Sequence, residues 1–146
     1  MPEQLVAGRT HEVRRVVTPE LTADATGNPG VAVFSTPNLV LLIEEVCYAS
    51  VLPCLTEGQG TVGTHVDVRH LAATPVGMTI TARAELTEVD GRRLVFKVEA
   101  RDDVEPIASG THERVIVNSV QRFVERAMAK MKDVHRGDVS TGRSFG

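Results

Sequence analysis

Apolar and polar side chains alternate along most of the second half of the chain. From Thr61 to Leu71, Val62, Thr64, Val66, Val68 and His70 fall on one face and His65, Asp67 and Arg69 on the other, the period of a strand with one buried side. After the turn Ala73-Thr74-Pro75-Val76-Gly77, Met78, Ile80, Ala82, Ala84 and Leu86 alternate against Thr79, Thr81, Arg83, Glu85 and Thr87. Asp90-Gly91 is a hairpin-turn signal, and Leu94, Phe96, Val98 and Ala100 form the inward face of the next strand. A further hairpin leads into Ile107 through Val117. A shorter alternation, from Thr10 to Thr18, predicts a first strand, and the Thr-, Ala-, Gly- and Pro-rich stretch from Glu20 to Gly30 a loop.

Between that loop and the strands the period changes. Ser35-Thr36-Pro37-Asn38 joins a hydroxyl able to cap free backbone N–H groups to a proline at the first helical position, and Thr36 is read as a capping residue. A helix of about four turns should run from there to near Pro53. It is apolar over most of its circumference, as a helix enclosed by a sheet should be. Asn118 is placed to cap a last helix carrying Val120, Phe123, Val124 and Ala127, and the polar tail from Asp133 to Gly146 is expected to be disordered. The order is strand, long helix, then four antiparallel strands, which predicts an α+β domain over residues 1–132 with its sheet curled around one helix.

Composition narrows the function. The chain has 146 residues, enough for one domain with a sizeable core, and its 3% aromatic content requires that core to be aliphatic. With a net charge of −3 and no basic cluster interleaved with aromatics, nucleic-acid binding is not expected. The N-terminal residues do not read as a signal peptide, and the longest apolar stretch, broken by Glu44 and Glu45, reads as too short for a membrane span. A cytoplasmic protein is expected, with no metal and no cofactor, and with Cys47 and Cys54 as reduced core thiols.

The candidate chemistry lies in Glu44, a carboxylate inside the run from Leu39 to Ala49, and in His70 on the apolar side of its strand. A buried carboxylate costs several kcal/mol unless it is paired, so a Glu and a His meeting in a core make a candidate acid/base site. Around the helix, Glu44 lies roughly 100° from the centre of the apolar face and Glu45 roughly 150–160°, which makes Glu45 the solvent-facing one. The residues alone leave other readings open. Glu44 can be a flank carboxylate, His70 a hydrogen-bonded core residue like its competitors His65 and His112, Arg114 an ion-pair partner, and Gly63 the mark of a bulge. Arg92 and Arg93 follow a hairpin turn, where a solvated loop competes with contact to the phosphates of a coenzyme A tail.

Several stretches together resemble a known family: Val33-Phe34-Ser35-Thr36 leading into the helix, Glu44 within it, Gly60-Thr61-Val62-Gly63-Thr64, His70 through Gly77, Val89-Asp90-Gly91-Arg92-Arg93-Leu94, and Gly110-Thr111-His112-Glu113-Arg114. This set, over roughly residues 10 to 125, resembles the hotdog fold and, more narrowly, the thioesterases related to fluoroacetyl-CoA thioesterase. The resemblance implies a catalytic group of Thr36, Glu44 and His70, with Gly63, His70 and Arg114 contacting the substrate. It also implies a homodimer of continuous sheets with an acyl-CoA entering at the subunit interface. Thr36 would orient Glu44 or the substrate, His70 would activate water and protonate the leaving thiolate, and Glu44 would attack or activate water. Fluoroacetyl-specific members carry an aromatic lid before the helix, whereas no aromatic residue lies between Met1 and Phe34 here. A more open pocket for a short acyl group is expected. A hydratase or dehydratase on the same fold, against which the missing His-to-acid spacing of the hydratases argues, and a non-catalytic acyl-CoA-binding protein are the competing functions.

Overall fold

In the computed structural model, which describes residues 2–136, five strands form one antiparallel sheet in the order β1-β3-β4-β5-β2. They are β1 (Thr10–Val16), β2 (Gly60–His70), β3 (Thr79–Asp90), β4 (Arg93–Arg101) and β5 (Pro106–Val117). Helix α1 (Thr36–Val51) lies against the inner face, leaning most on β3. Ala82 and Ala84 sit fully buried on β3 between Ile80 and Leu86, and their small side chains let the helix approach closely. Leu39, Ile43, Val46 and Val51 of α1 complete a mostly aliphatic core with Leu94, Phe96 and Val98 of β4, the aromatic exceptions being Phe96 and Phe34. Burying each such side chain is worth about 1.5–3 kcal/mol, so this one face supplies most of the driving force for the fold.

The sequence pattern holds for β3 and β4 but not throughout β2. Gly63 pairs with Arg114 while His65 pairs with Glu113, so Thr64 is an extra residue, a bulge, in β2. One inserted residue reverses the facing of everything beyond it. Val66, Val68 and His70 therefore share the face of buried His112 and of Ala108, although Val66, expected to be buried there, is exposed, and on the other side of the bulge Thr61 and Gly63 turn inward, not Val62 and Thr64.

Four local readings are corrected. Ser35, not Thr36, caps α1, its hydroxyl accepting from the Asn38 amide at 3.2 Å; Ser119, not Asn118, caps α2 (Val120–Met128), accepting from the Arg122 amide at 3.1 Å. A short helix α3 spans Lys130–Arg136, so the segment expected to be disordered from Asp133 is helical as far as Arg136. The rest of that tail, residues 137–146, lies outside the described residues. The segment Thr36–Cys54, at 19 residues, is also long and apolar enough to cross a membrane, contrary to the sequence reading. Its apolarity has a local cause, because α1 buries Leu39, Leu42, Ile43, Val46 and Cys47 against the sheet.

Candidate active site

The start of α1 is stitched to the end of β2. The Phe34 amide donates to the Thr74 carbonyl at 2.8 Å, and Val33 bridges to Pro75, so the helix N-terminus is held beside the turn that follows His70. With Ser35 acting as the cap, the Thr36 hydroxyl is released for a second partner, and it lies 2.8 Å from His70 Nδ1. The Phe34 ring meets the imidazole edge-on, with centroids 6.5 Å apart. His70 Nε2 is buried without a hydrogen-bond partner among the described residues. Burial pushes the imidazole pKa below its usual 6.5, outweighing an opposing interaction with the Ala72 backbone, so the ring is neutral at pH 7. Thr36, His70 and Phe34 line an open cleft of about 370 Å³ whose other walls include Val31, Val33 and Asn28.

A second cluster surrounds Arg114. This guanidinium is 6% exposed, donates from Nε to Thr61 Oγ1 at 2.8 Å and from Nη2 to the Thr61 carbonyl at 3.0 Å, and lies 5.9 Å from the centre of the Tyr48 ring. Its Nη1 donates to His112 Nε2 at 3.2 Å and stands 3.8 Å from Glu44 Oε2. An arginine can only donate, so His112 Nε2 must accept and its Nδ1 carries the proton, given to the His65 carbonyl at 2.8 Å. Burial first, with the Arg114 charge assisting, pushes the His112 pKa below 6.5 and keeps it neutral. A methyl group on Gly63 would stand 3.2 Å from His112, 3.3 Å from Arg114 and 3.4 Å from Glu44. The missing side chain leaves β2 backbone open to this cluster.

The expected residues thus fall into two groups within one chain. Thr36 is bonded to His70, not to Glu44, while Glu44 joins Gly63 and Arg114. Glu44 follows Thr36 by eight positions on α1, about 12 Å along the helix axis. Glu44 is 42% exposed rather than buried, because it leans from the flank of α1 toward β2, a strand with no partner on its outer side. Glu45, expected to face solvent, is 40% exposed and bonded to Arg15 of β1. Sequence reasoning named His112 only as a competitor of His70 and passed over Thr61 and Tyr48 as site residues. His112 carried the only available signal, since it sits two residues from Arg114 on one face of a strand.

The family model for fluoroacetyl-CoA-specific thioesterase matches residues 17–120. The fluoroacetyl-CoA thioesterase of Streptantibioticus cattleyicolor is 48% identical over 98 residues, covering 67% of this chain and 70% of the relative. Among solved structures, an alanine mutant of the fluoroacetyl-CoA-specific thioesterase FlK superposes with a TM-score of 0.83 at 36% identity, over 88% of this chain and 98% of that one. A thioesterase superfamily member from Thermus thermophilus gives a TM-score of 0.80 at 29% identity, over 92% and 98%. With a five-stranded antiparallel sheet packed on one long helix and a match over most of its length, the chain belongs to the fluoroacetyl-CoA-specific thioesterase family, hotdog-fold thioester hydrolases.

Proposed function

We propose that the protein hydrolyses a short-chain acyl-CoA in the cytoplasm, with Thr36, Glu44 and His70 as its catalytic group and Gly63 and Arg114 contacting the substrate. The observation that carries this reading is the Thr36–His70 hydrogen bond beside a buried, unpartnered Nε2. A neutral imidazole whose Nδ1–H donates to the Thr36 hydroxyl, leaving Nε2 as the unprotonated nitrogen, can take a proton from water and return it to the departing thiolate. Thr36 serves as the orienting group for this histidine. The β2 backbone at Gly63, bare of side chain, is placed to receive the thioester carbonyl, where an N–H group would stabilise the oxyanion.

The separation of Glu44 from His70 favours a homodimer. If two copies join through their β2 edges, the sheets become continuous and the Glu44 cluster of one protomer can meet the Thr36–His70 pair of its partner. The wall of Val31, Val33 and Phe34 suits a short aliphatic acyl group, and it carries no aromatic lid before Phe34.

Thiol release from acetyl-, fluoroacetyl-, propionyl-, butyryl- and phenylacetyl-CoA, with wild type beside Glu44→Gln and His70→Ala, tests the reading. Turnover abolished by either substitution in a folded protein supports it. No turnover, with stabilisation by CoA that survives Glu44→Gln, would instead favour a non-catalytic acyl-CoA-binding protein.

A further inference from the structure

A second cleft, of about 400 Å³, opens at the far end of the sheet between the β3–β4 hairpin and helix α2. Arg92, Arg122 and Arg126 line it together with Phe123 and Val117. Its walls are fixed by backbone bonds: Ile116 N donates to the Arg92 carbonyl at 2.8 Å, and Val120 N donates to the Gly58 carbonyl at 2.9 Å. The position was visible in sequence only as Arg92 after a turn, because Arg122 and Arg126 reach it from a helix that lies past the family-matched residues.

Three features together characterise this cleft. Arg9, Arg15, Arg83, Arg93 and Arg114 all face a carboxylate, whereas the side chains of Arg92, Arg122 and Arg126, like those of Arg14, Arg69 and Arg101, have no hydrogen bond or ion pair among the described residues, and only these three gather with an exposed aromatic ring around one hollow. Arg122 and Arg126 are four residues apart on one helix face, an arrangement that costs stability through like-charge repulsion. A chain of net charge −3 therefore concentrates three uncompensated positive charges around one hollow. Between them Phe123, 45% exposed, offers a flat apolar surface. Cationic forks beside an aromatic face suit a phosphorylated nucleotide, phosphates on the guanidinium groups and base against the ring. The cleft is also near the candidate active site: Val117 in its wall follows Arg114 by three residues on β5, about 10 Å along the strand.

We propose that this cleft holds the phosphorylated adenosine end of the acyl-CoA, with Arg92, Arg122 and Arg126 engaging its phosphates and Phe123 lying against adenine. The inference rests on the thioesterase reading for its ligand and adds a site for the part of the substrate remote from the chemistry. Binding energy gathered there would lower KM and leave kcat to the residues at the thioester.

The test uses the full chain, an Arg122→Gln/Arg126→Gln double variant and an Arg92→Gln variant, all at surface positions where the fold is unaffected. Calorimetric titration with CoA, dephospho-CoA, adenosine 3′,5′-bisphosphate and inorganic phosphate is paired with hydrolysis of acetyl-CoA and acetyl-pantetheine. For the double variant the expected result is a CoA Kd and an acetyl-CoA KM each weakened about tenfold, with kcat and acetyl-pantetheine hydrolysis unchanged. Wild type should prefer CoA to dephospho-CoA, and the variants should lose that preference. An unchanged Kd and KM in both variants overturns the cleft while leaving the thioesterase standing. Inorganic phosphate binding as tightly as CoA overturns it too, since the cleft would then be a simple anion site. Loss of CoA binding in the variants of a wild type that binds CoA but hydrolyses no thioester keeps the cleft and removes the thioesterase reading.

Discussion

Thr36 Oγ1 lies 2.8 Å from His70 Nδ1, across 34 residues of sequence, and this side-chain contact adds to the backbone bonds that join the start of α1 to the end of β2. It exists because Ser35 takes the capping role and leaves the next hydroxyl unused. Replacing Thr36 by Val keeps the β-branched shape and removes the bond, which should lower kcat about 10–100-fold, the scale of a mispositioned general base. Thr36→Ser should retain most activity. Ser35→Ala should do the reverse, costing about 1 kcal/mol of stability from the lost cap with a smaller effect on kcat. Steady-state kinetics beside urea unfolding of the three variants separates the two hydroxyls; a Thr36→Val enzyme with wild-type kcat would remove the orienting role.

Burial lowers the pKa of His70, which sets the direction of the activity profile. In the proposed role of base it must be neutral, so the acid limb of kcat/KM should fall below pH 6.5 rather than at it. Stability follows the same sign for both His70 and His112. Their protonated forms are disfavoured in the folded state, so stability is full above pH 6.5, the usual value, and is lost progressively as pH falls from there toward the depressed folded values. Urea unfolding from pH 8 to pH 5 should show this decline, and His112→Gln, which keeps a donor and an acceptor, should flatten it. A stability that rises on acidification across that window would contradict the neutral assignment.

The alternation of Ile80 to Leu86 and of Leu94 to Ala100 made β3, β4 and the buried helix legible in the sequence, because a strand with one buried face writes its period directly into residue type. The bulge at Thr64 had one sign, Gly63 read as the mark of a bulge, but its consequence for facing was not legible. Thr and Val pack acceptably on either face, so residue type from Thr61 to Thr64 does not show the register change that brings Thr61 inward to hold Arg114. The site residues were individually visible as polar groups in apolar surroundings, but their grouping was not, since it depends on how far α1 carries Glu44 from Thr36. His112 was hidden for a related reason: only the fold shows that its two nitrogens are spoken for by His65 and Arg114.

Cys47 is fully buried on α1, and burial pushes its thiol pKa up to about 12, with Arg114 opposing and Glu44 adding to the rise. A thiolate is the reactive form, so Cys47 should be inert in the folded protein. Cys54, at the end of the turn after α1, is only half-buried, its thiol 3.7 Å from the Gln4 carbonyl, and so departs from the core position expected for it. Titration with an aromatic disulfide reagent at pH 8 should label one thiol in native protein and two in urea, with Cys54→Ser abolishing the native signal. Rapid native labelling of Cys47 would show that α1 opens far more readily than its packing allows.

Gly63 and Gly110 both lie in the β2–β5 pair, but their substitution by Ala should have opposite signatures. At Gly110 a Cβ would fall 2.0 Å from the Asp67 carbonyl oxygen and 2.8 Å from Val68 Cα, backbone atoms that cannot move without parting the strands. Gly110→Ala should therefore destabilise by about 1–3 kcal/mol or more, the cost of overpacking with no room to relax. At Gly63 the neighbours are the ends of His112, Arg114 and Glu44 side chains at 3.2–3.4 Å, which can give by a few tenths of an ångström. Gly63→Ala should stay folded with a loss of under about 1 kcal/mol, and yet it should raise KM or lower kcat, because the new methyl group would occupy the surface proposed to receive the thioester. Thermal melting and acetyl-CoA kinetics on both variants read the contrast. A Gly63→Ala enzyme of unaltered kcat and KM would remove that strand from the substrate's path and leave its bareness a matter of packing around Arg114.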